Sequence, residues 1–243
     1  MIRFDGLDAL RGLTLISMIL YHACWDLVWM FGVNWPWYRS YGAYLWQQSV
    51  CWTFILLSGY CFRLGRNPLR RGLIVSACGV AISLVTILFM PDNRVFFGVL
   101  SLLGAAMLIT VPLDPVLKRV PRPIGMAASF ALFLLFRGAA RRTLGFFGVA
   151  LFRLPDALYC NDFTACFGFP PARFFSTDYF PLLPWYFLFL TGYFLYGLLP
   201  ASSLNVRVPI LNALGRRSLW VYMLHQPVIY AALSLWFRIG GRA

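Results

Sequence analysis

Apolar runs of membrane-spanning length recur from end to end of this chain, interrupted by clusters of proline, glycine and charge. The pattern predicts helices over roughly residues 7–31, 44–62, 72–90, 95–112, 123–136, 182–199 and 218–237. The segments NWPWYR, RLGRNPLRRG, MPDNR, VPLDPVLKRVPRP and LPASSLNVRVP punctuate them. Residues 137–181 follow no clear period. They include LGFFGVALF, too short for a helical span and expected as an interfacial or re-entrant element, with an eighth span near residues 143–160 as the alternative. No internal repeat, linker or low-complexity stretch interrupts the chain, so the expectation is one domain over residues 1–243. The fold class is all-α, a polytopic transmembrane bundle of about seven to eight spans.

Composition agrees with that reading: 60% of residues are hydrophobic and 12% charged, against about 25% charged in soluble domains. The first segment has no small-residue cleavage pattern and is too long for a signal sequence, so it is read as a retained helix. The net charge of +13 would suggest nucleic acid in a soluble protein. Here the basic residues cluster at the ends of apolar runs, which is the signature of positive-inside anchoring and of lipid headgroup contact, not of nucleic acid. With seven spans, Arg3, Arg63, Arg66, Arg70, Arg71, Lys118, Arg119, Arg122, Arg207, Arg216 and Arg217 share one face, expected to be cytoplasmic together with the N-terminus. An eighth span would move the C-terminus inside.

Six cysteines show no CxxC spacing, and zinc-ligand patterns, nucleotide loops and a GxSxG elbow are absent, so no metal is expected. Cys160 and Cys166 lie in one loop and could pair if it faces an oxidising compartment.

Chemistry concentrates on the first segment. Asp8, Arg11, Leu15, Met18, His22 and Asp26 form a stripe at helical spacing, with Arg11 and His22 about 16 Å apart along the axis. Ionisable groups inside a membrane helix are costly and mark functional sites. Asp26 lies one turn beyond His22, placed to hold one ring nitrogen and leave the other as a general base. The only other histidine, His225, stands with Gln226 just before Pro227 on the last segment, at a depth that matches His22. The proline leaves the Met223 carbonyl without its helical donor. Asp178, in FSTDYFPLLPWYF, sits at the opposite mouth as a substrate contact, a helix cap or a turn residue. The aromatics around it, like Trp35 and Trp37, read as an interfacial belt.

The motifs RFDGLDALRGLTLISMILYHACWDL, FILLSG, FGVLSLLG, DYFPLLPW and GRRSLWVYMLHQP together resemble a bacterial membrane family related to the catalytic domain of heparan-α-glucosaminide N-acetyltransferase, within the transmembrane acyltransferase superfamily. The resemblance covers nearly the whole chain. It implies an inner-membrane enzyme that moves an acyl group, usually acetyl, from cytoplasmic coenzyme A to a sugar amine or hydroxyl across the bilayer. Acyl-coenzyme A is then the co-substrate and a sugar or glycan the acceptor. The Arg-x10-His spacing of Arg11 and His22 also looks like the essential motif of the related acyltransferase-3 proteins. One departure stands out: the heparan enzyme carries its catalytic histidine in the loop after the first helix, and VNWPWYRSYG has none. His22 is left as the first-helix base. The animal enzyme's lumenal domain has no counterpart in the sequence either, which makes heparan itself an unexpected acceptor.

The resulting assignment gives His22 and Asp26 the acid–base role, Arg11, Arg70 and Arg71 the anionic parts of coenzyme A, and His225, Gln226 and Asp178 the substrate. His225 and Gln226 would bind substrate or polarise the thioester carbonyl. Direct transfer and an acyl-histidine intermediate are both open, as is homo-oligomerisation. Two rivals come from other classes: a transporter or lipid-binding protein with an intramembrane Arg, His and Asp path, and a bis-histidine haem protein.

Overall fold

Each of the seven long apolar runs folds as a helix, because a backbone without water must satisfy its own hydrogen bonds. The structure, a computed structural model, describes residues 4–199 and 206–240; Arg3 lies outside them. In chain order the helices are α1 (Asp5–Trp29), α2 (Tyr41–Phe62), α3 (Pro68–Phe89), α4 (Val99–Leu117), α5 (Arg122–Phe136), α6 (Asp162–Ala165), α7 (Leu182–Leu195), α8 (Pro209–Arg216) and α9 (Ser218–Ile239).

Among the described residues, four segments are long and apolar enough to cross a membrane: Asp5–Trp29, Pro68–Phe89, Val99–Leu117 and Arg122–Arg141. The protein is therefore an integral membrane protein. Helix α7, with 14 residues, is only about 21 Å long, short of a hydrocarbon core of about 30 Å. The polar side chains Gln47, Gln48, Ser49 and Thr53 dilute α2, as His225, Gln226 and Arg238 dilute α9.

The eighth span is corrected. Residues 143–153 form an antiparallel hairpin of β1 (Thr143–Phe146) and β2 (Val149–Arg153). Phe147 and Gly148 both take positive φ, 51° and 89°, the primed two-residue turn whose twist matches paired strands. A register shift between Leu144 and Gly145 bends the ribbon.

The chain divides into two compact units, with the boundary inside α2 after Phe54. In the first, α1 packs against α8 and α9. Gly12 and Gly215 permit the closest approach: a Cβ on Gly12 would overlap the Leu211 carbonyl, and one on Gly215 the Asp8 carbonyl. The contact is locked by Asn212, fully buried, whose amide donates to the Asp5 carbonyl at 2.5 Å and accepts from Val208 N at 2.7 Å.

The second unit, Ile55–Leu199, is built on α3 against α4 and α5 against α7, around Phe133, Leu188, Phe189 and Tyr193. Helix α4 continues through Pro112 and Pro115 to Leu117, past the end expected at residue 112. Asp114, in that extra turn, pairs with Lys118 and accepts from the Tyr193 hydroxyl at 2.6 Å.

Candidate functional site

The polar face of α1 turns inward. Leu15, Met18 and Asp26 are buried on it, and His22 stands between Met18 and Asp26 on the same stripe. Helix α9 brings His225 and Gln226 against it. The imidazoles of His22 and His225 meet edge to face, ring centroids 4.9 Å apart. One turn away, Gln226 Nε2 donates to Asp26 Oδ1 at 2.5 Å.

That bond corrects one expectation: the carboxylate of Asp26 is held by Gln226, not by a ring nitrogen of His22. At i and i+4 the two α1 side chains are neighbours in projection, but a fully buried carboxylate needs a donor, and α9 supplies one.

His225 is fixed by its own helix. Its Nδ1 lies 2.5 Å from the Tyr222 carbonyl, and a carbonyl can only accept, so Nδ1 carries the hydrogen and Nε2 of the neutral ring keeps a lone pair. Three buried atoms of this cluster have no protein partner: His225 Nε2, Gln226 Oε1 and Asp26 Oδ2. With the Gln226 amide nitrogen turned to Asp26, all three are acceptors. Leaving each unpaired costs about 1–3 kcal/mol, so the arrangement favours a ligand that brings N–H or O–H groups. It suits His225 and Gln226 to bind such a donor and does not suit Nε2 to polarise a carbonyl.

Aromatic rings lead to the pair from the outside. Trp35 and Trp37 lie 6.0 Å apart, Trp37 and Trp46 6.0 Å, Trp46 and Tyr21 5.2 Å, Tyr21 and His22 6.1 Å. Trp46 is set by its indole N–H on Ser17 Oγ at 2.7 Å, and Tyr38 by its hydroxyl on the Tyr21 carbonyl. In sequence Trp35 and Trp37 read as a belt; the continuity through Trp46 arises only from its contacts with Ser17 and Tyr21 of α1. Helical spacing could have found Tyr222, three residues before His225.

At the start of α1, Arg11 pairs with Asp8 at 3.0 Å, and Arg216 reaches Asp5 at 3.6 Å and Asp8 at 3.7 Å. Two acids and two arginines balance there, so part of the Arg11 charge is already spent on its own helix.

Arg70, Arg71 and Asp178 belong to the second unit. Arg70 is exposed, whereas Arg71 donates to the Cys61 carbonyl at 3.2 Å, closing the last turn of α2. Asp178 acts as a cap: Oδ2 accepts from Val99 N at 3.0 Å, the first residue of α4. Thr177 N to the Arg94 carbonyl and Phe180 N to the Phe97 carbonyl, 3.1 and 2.8 Å, hold the two segments together. Burial pushes the Asp178 carboxyl up to about 6, partly offset by the Val99 N–H. Cys160 and Cys166 are free thiols, Cys160 turned to the Asp156 carbonyl, so the considered disulfide is not formed. No group of three or more metal-ligating side chains occurs among the described residues.

A sequence model of the family described as heparan-alpha-glucosaminide N-acetyltransferase, catalytic, matches residues 3–227. No curated protein and no solved structure matches.

Proposed function

The chain belongs to the heparan-alpha-glucosaminide N-acetyltransferase catalytic family, and from that premise we propose that it moves an acyl group, acetyl in the first instance, from cytoplasmic coenzyme A to an amine or hydroxyl of a sugar or glycan across a bacterial inner membrane. The observation that carries the chemistry is the His22–His225 ring contact beside three unpartnered acceptors. Asp26 Oδ2, Gln226 Oε1 and His225 Nε2 orient the donor groups of the acceptor substrate. His22 takes the proton as the acceptor nitrogen or oxygen attacks the thioester carbon. The new bond is N–C or O–C and the C–S bond breaks. The departing sulfur receives the proton from His22, which leaves free coenzyme A and a neutral imidazole. The anionic parts of coenzyme A are the proposed ligands of Arg11, Arg70 and Arg71. Two imidazoles in direct edge contact leave no gap for a macrocycle between them, which favours proton handling over axial ligation.

The test is reconstitution in proteoliposomes with labelled acetyl-coenzyme A and a panel of amino sugars and hydroxylated glycans. Label should appear on an acceptor, and coenzyme A should raise the melting temperature, since a ligand at about 100 times its Kd stabilises the folded state by roughly 2.7 kcal/mol. No transfer to any acceptor together with no thermal shift would overturn the assignment.

A further inference from the structure

We propose that the hairpin β1–β2 is a shallow membrane anchor, lying in the phospholipid headgroup layer with the Phe147 tip at the acyl boundary. Exposure first singles it out. Phe147 is 89% exposed, and Val149 and Phe152 each 65%, in a segment that belongs to no spanning helix. Outside a membrane so much apolar surface on so few residues has no compensation.

Position then identifies the occupant. The candidate span Arg122–Arg141 ends two residues before β1 begins, so the hairpin emerges where that helix leaves the hydrocarbon. Its base is fixed there: Thr143 N donates to the Gly138 carbonyl at 3.1 Å, Leu154 N to the Arg142 carbonyl at 2.9 Å, and the Tyr159 hydroxyl to the Ala139 carbonyl. Strand β1 is half-buried against α5, and β2 faces outward. At about 3.3 Å per residue the ribbon is roughly 17 Å long. It lies along the layer from which its helix emerges.

Charge points the same way. Arg141 and Arg153 flank the hairpin, are exposed, and have no acidic partner among the described residues. Arg142 is paired with Asp156 at 2.6 Å. Two free guanidinium forks beside apolar side chains match phosphate over acyl chains. Depth follows from the backbone: the outer edges of a two-stranded ribbon keep unpaired N–H and C=O groups, which hydrocarbon does not tolerate. The backbone therefore stays among headgroups and water, and only side chains go deeper, as in other interfacial elements that sink about 5–10 Å.

The experiment places an environment-sensitive fluorophore on Phe147→Cys in a Cys160→Ser background, with the labelled Cys160→Ser parent subtracted and Ala157→Cys as the exposed-loop reference. In proteoliposomes, lipids with a nitroxide near the headgroup should cut the position-147 signal at least two-fold more than lipids with a nitroxide deep in the chain, and aqueous iodide should quench it less than position 157. Leu151→Cys gives a second reading with the same expectation. Equal iodide quenching at 147 and 157, or insensitivity to both lipids because a second copy covers the tip, would overturn the proposal. Stronger quenching by the deep nitroxide would replace it with a re-entrant element.

Discussion

Tyr222 and His225 lie three residues apart on α9, and the carbonyl of the first accepts the Nδ1–H of the second at 2.5 Å. The bond assigns the remaining nitrogen of His225 as an acceptor beside His22, which makes the two imidazoles unequal: one is held by its own backbone, and the other stands in ring contact with Tyr21 and His225.

His22→Ala is expected to lower acyl transfer by about 10²–10⁴-fold, the range for loss of a general base. It should lower the melting temperature only slightly, since ring contacts to Tyr21 and His225 are lost while the hydrogen bond between Gln226 and Asp26 stays in place. Labelled acetyl-coenzyme A turnover in matched preparations measures both. Turnover equal to wild type would remove His22 from the mechanism.

Gln226→Leu leaves the buried carboxyl of Asp26 without its donor, which should cost about 1–3 kcal/mol. Asp26→Leu in the same background should recover part of that loss, because the unpaired carboxyl leaves with it. A thermal-denaturation cycle over the wild type, the two single variants and the double variant reads the coupling. Strict additivity would show that the bond carries no energy.

Arg70 and Arg71 are adjacent in sequence but differently engaged, and charge reversal should separate them. Arg70→Glu is expected to weaken coenzyme A binding, more so at low salt, with little change in melting temperature. Arg71→Glu should destabilise the turn between α2 and α3 by roughly 1 kcal/mol, since it removes the side-chain donor to the Cys61 carbonyl and leaves only the Gly65 N–H. Calorimetric titration with coenzyme A at two salt concentrations decides the first, and unchanged affinity for Arg70→Glu at low salt would exclude that residue from the cofactor site.

The raised carboxyl of Asp178 sets a pH dependence. Because its value in the fold, about 6, exceeds the value of 3.8 for a free side chain, its contribution to stability is fully present below about pH 4 and is lost as pH rises through about 6. Asp178→Asn keeps an acceptor for Val99 N–H without the charge. Its melting temperature relative to wild type should rise between pH 5 and pH 7.5. Asp178→Ala loses the cap and should cost about 1 kcal/mol at pH 5. Parallel curves for wild type and the Asn variant would refute the linkage.

Helix placement was legible where an apolar run meets proline and charge together: Phe62 before RLGRNP and Phe89 before MPDN end α2 and α3 within a residue of the expected positions. The end of α4 was not, because Pro112 and Pro115 cost hydrogen bonds late in the helix without stopping it. The hairpin was hidden for a different reason. Strands of four and five residues, one half-buried and the other exposed along its whole length, carry no alternating pattern, and Phe147–Gly148 lacks the Asn or Asp that usually announces a primed turn. At the site, the local spacing of Arg11, His22 and Asp26 was readable, as was the common depth of His22 and His225. The partner of Asp26 was not, since no rule of spacing links two residues 200 positions apart.

That separation has a consequence for how the protein is made. Asp26 enters the bilayer with the first helix, and its donor Gln226 arrives with the last. At about 5–20 residues per second of synthesis, the interval is on the order of 10–40 s. Throughout it the nascent chain carries a carboxylate whose permanent partner has not been translated, and the first helix must be held by water, by the insertion machinery or by protonation. A ribosome that stalls before α9 leaves a product with neither a second imidazole nor a donor for the carboxyl of Asp26.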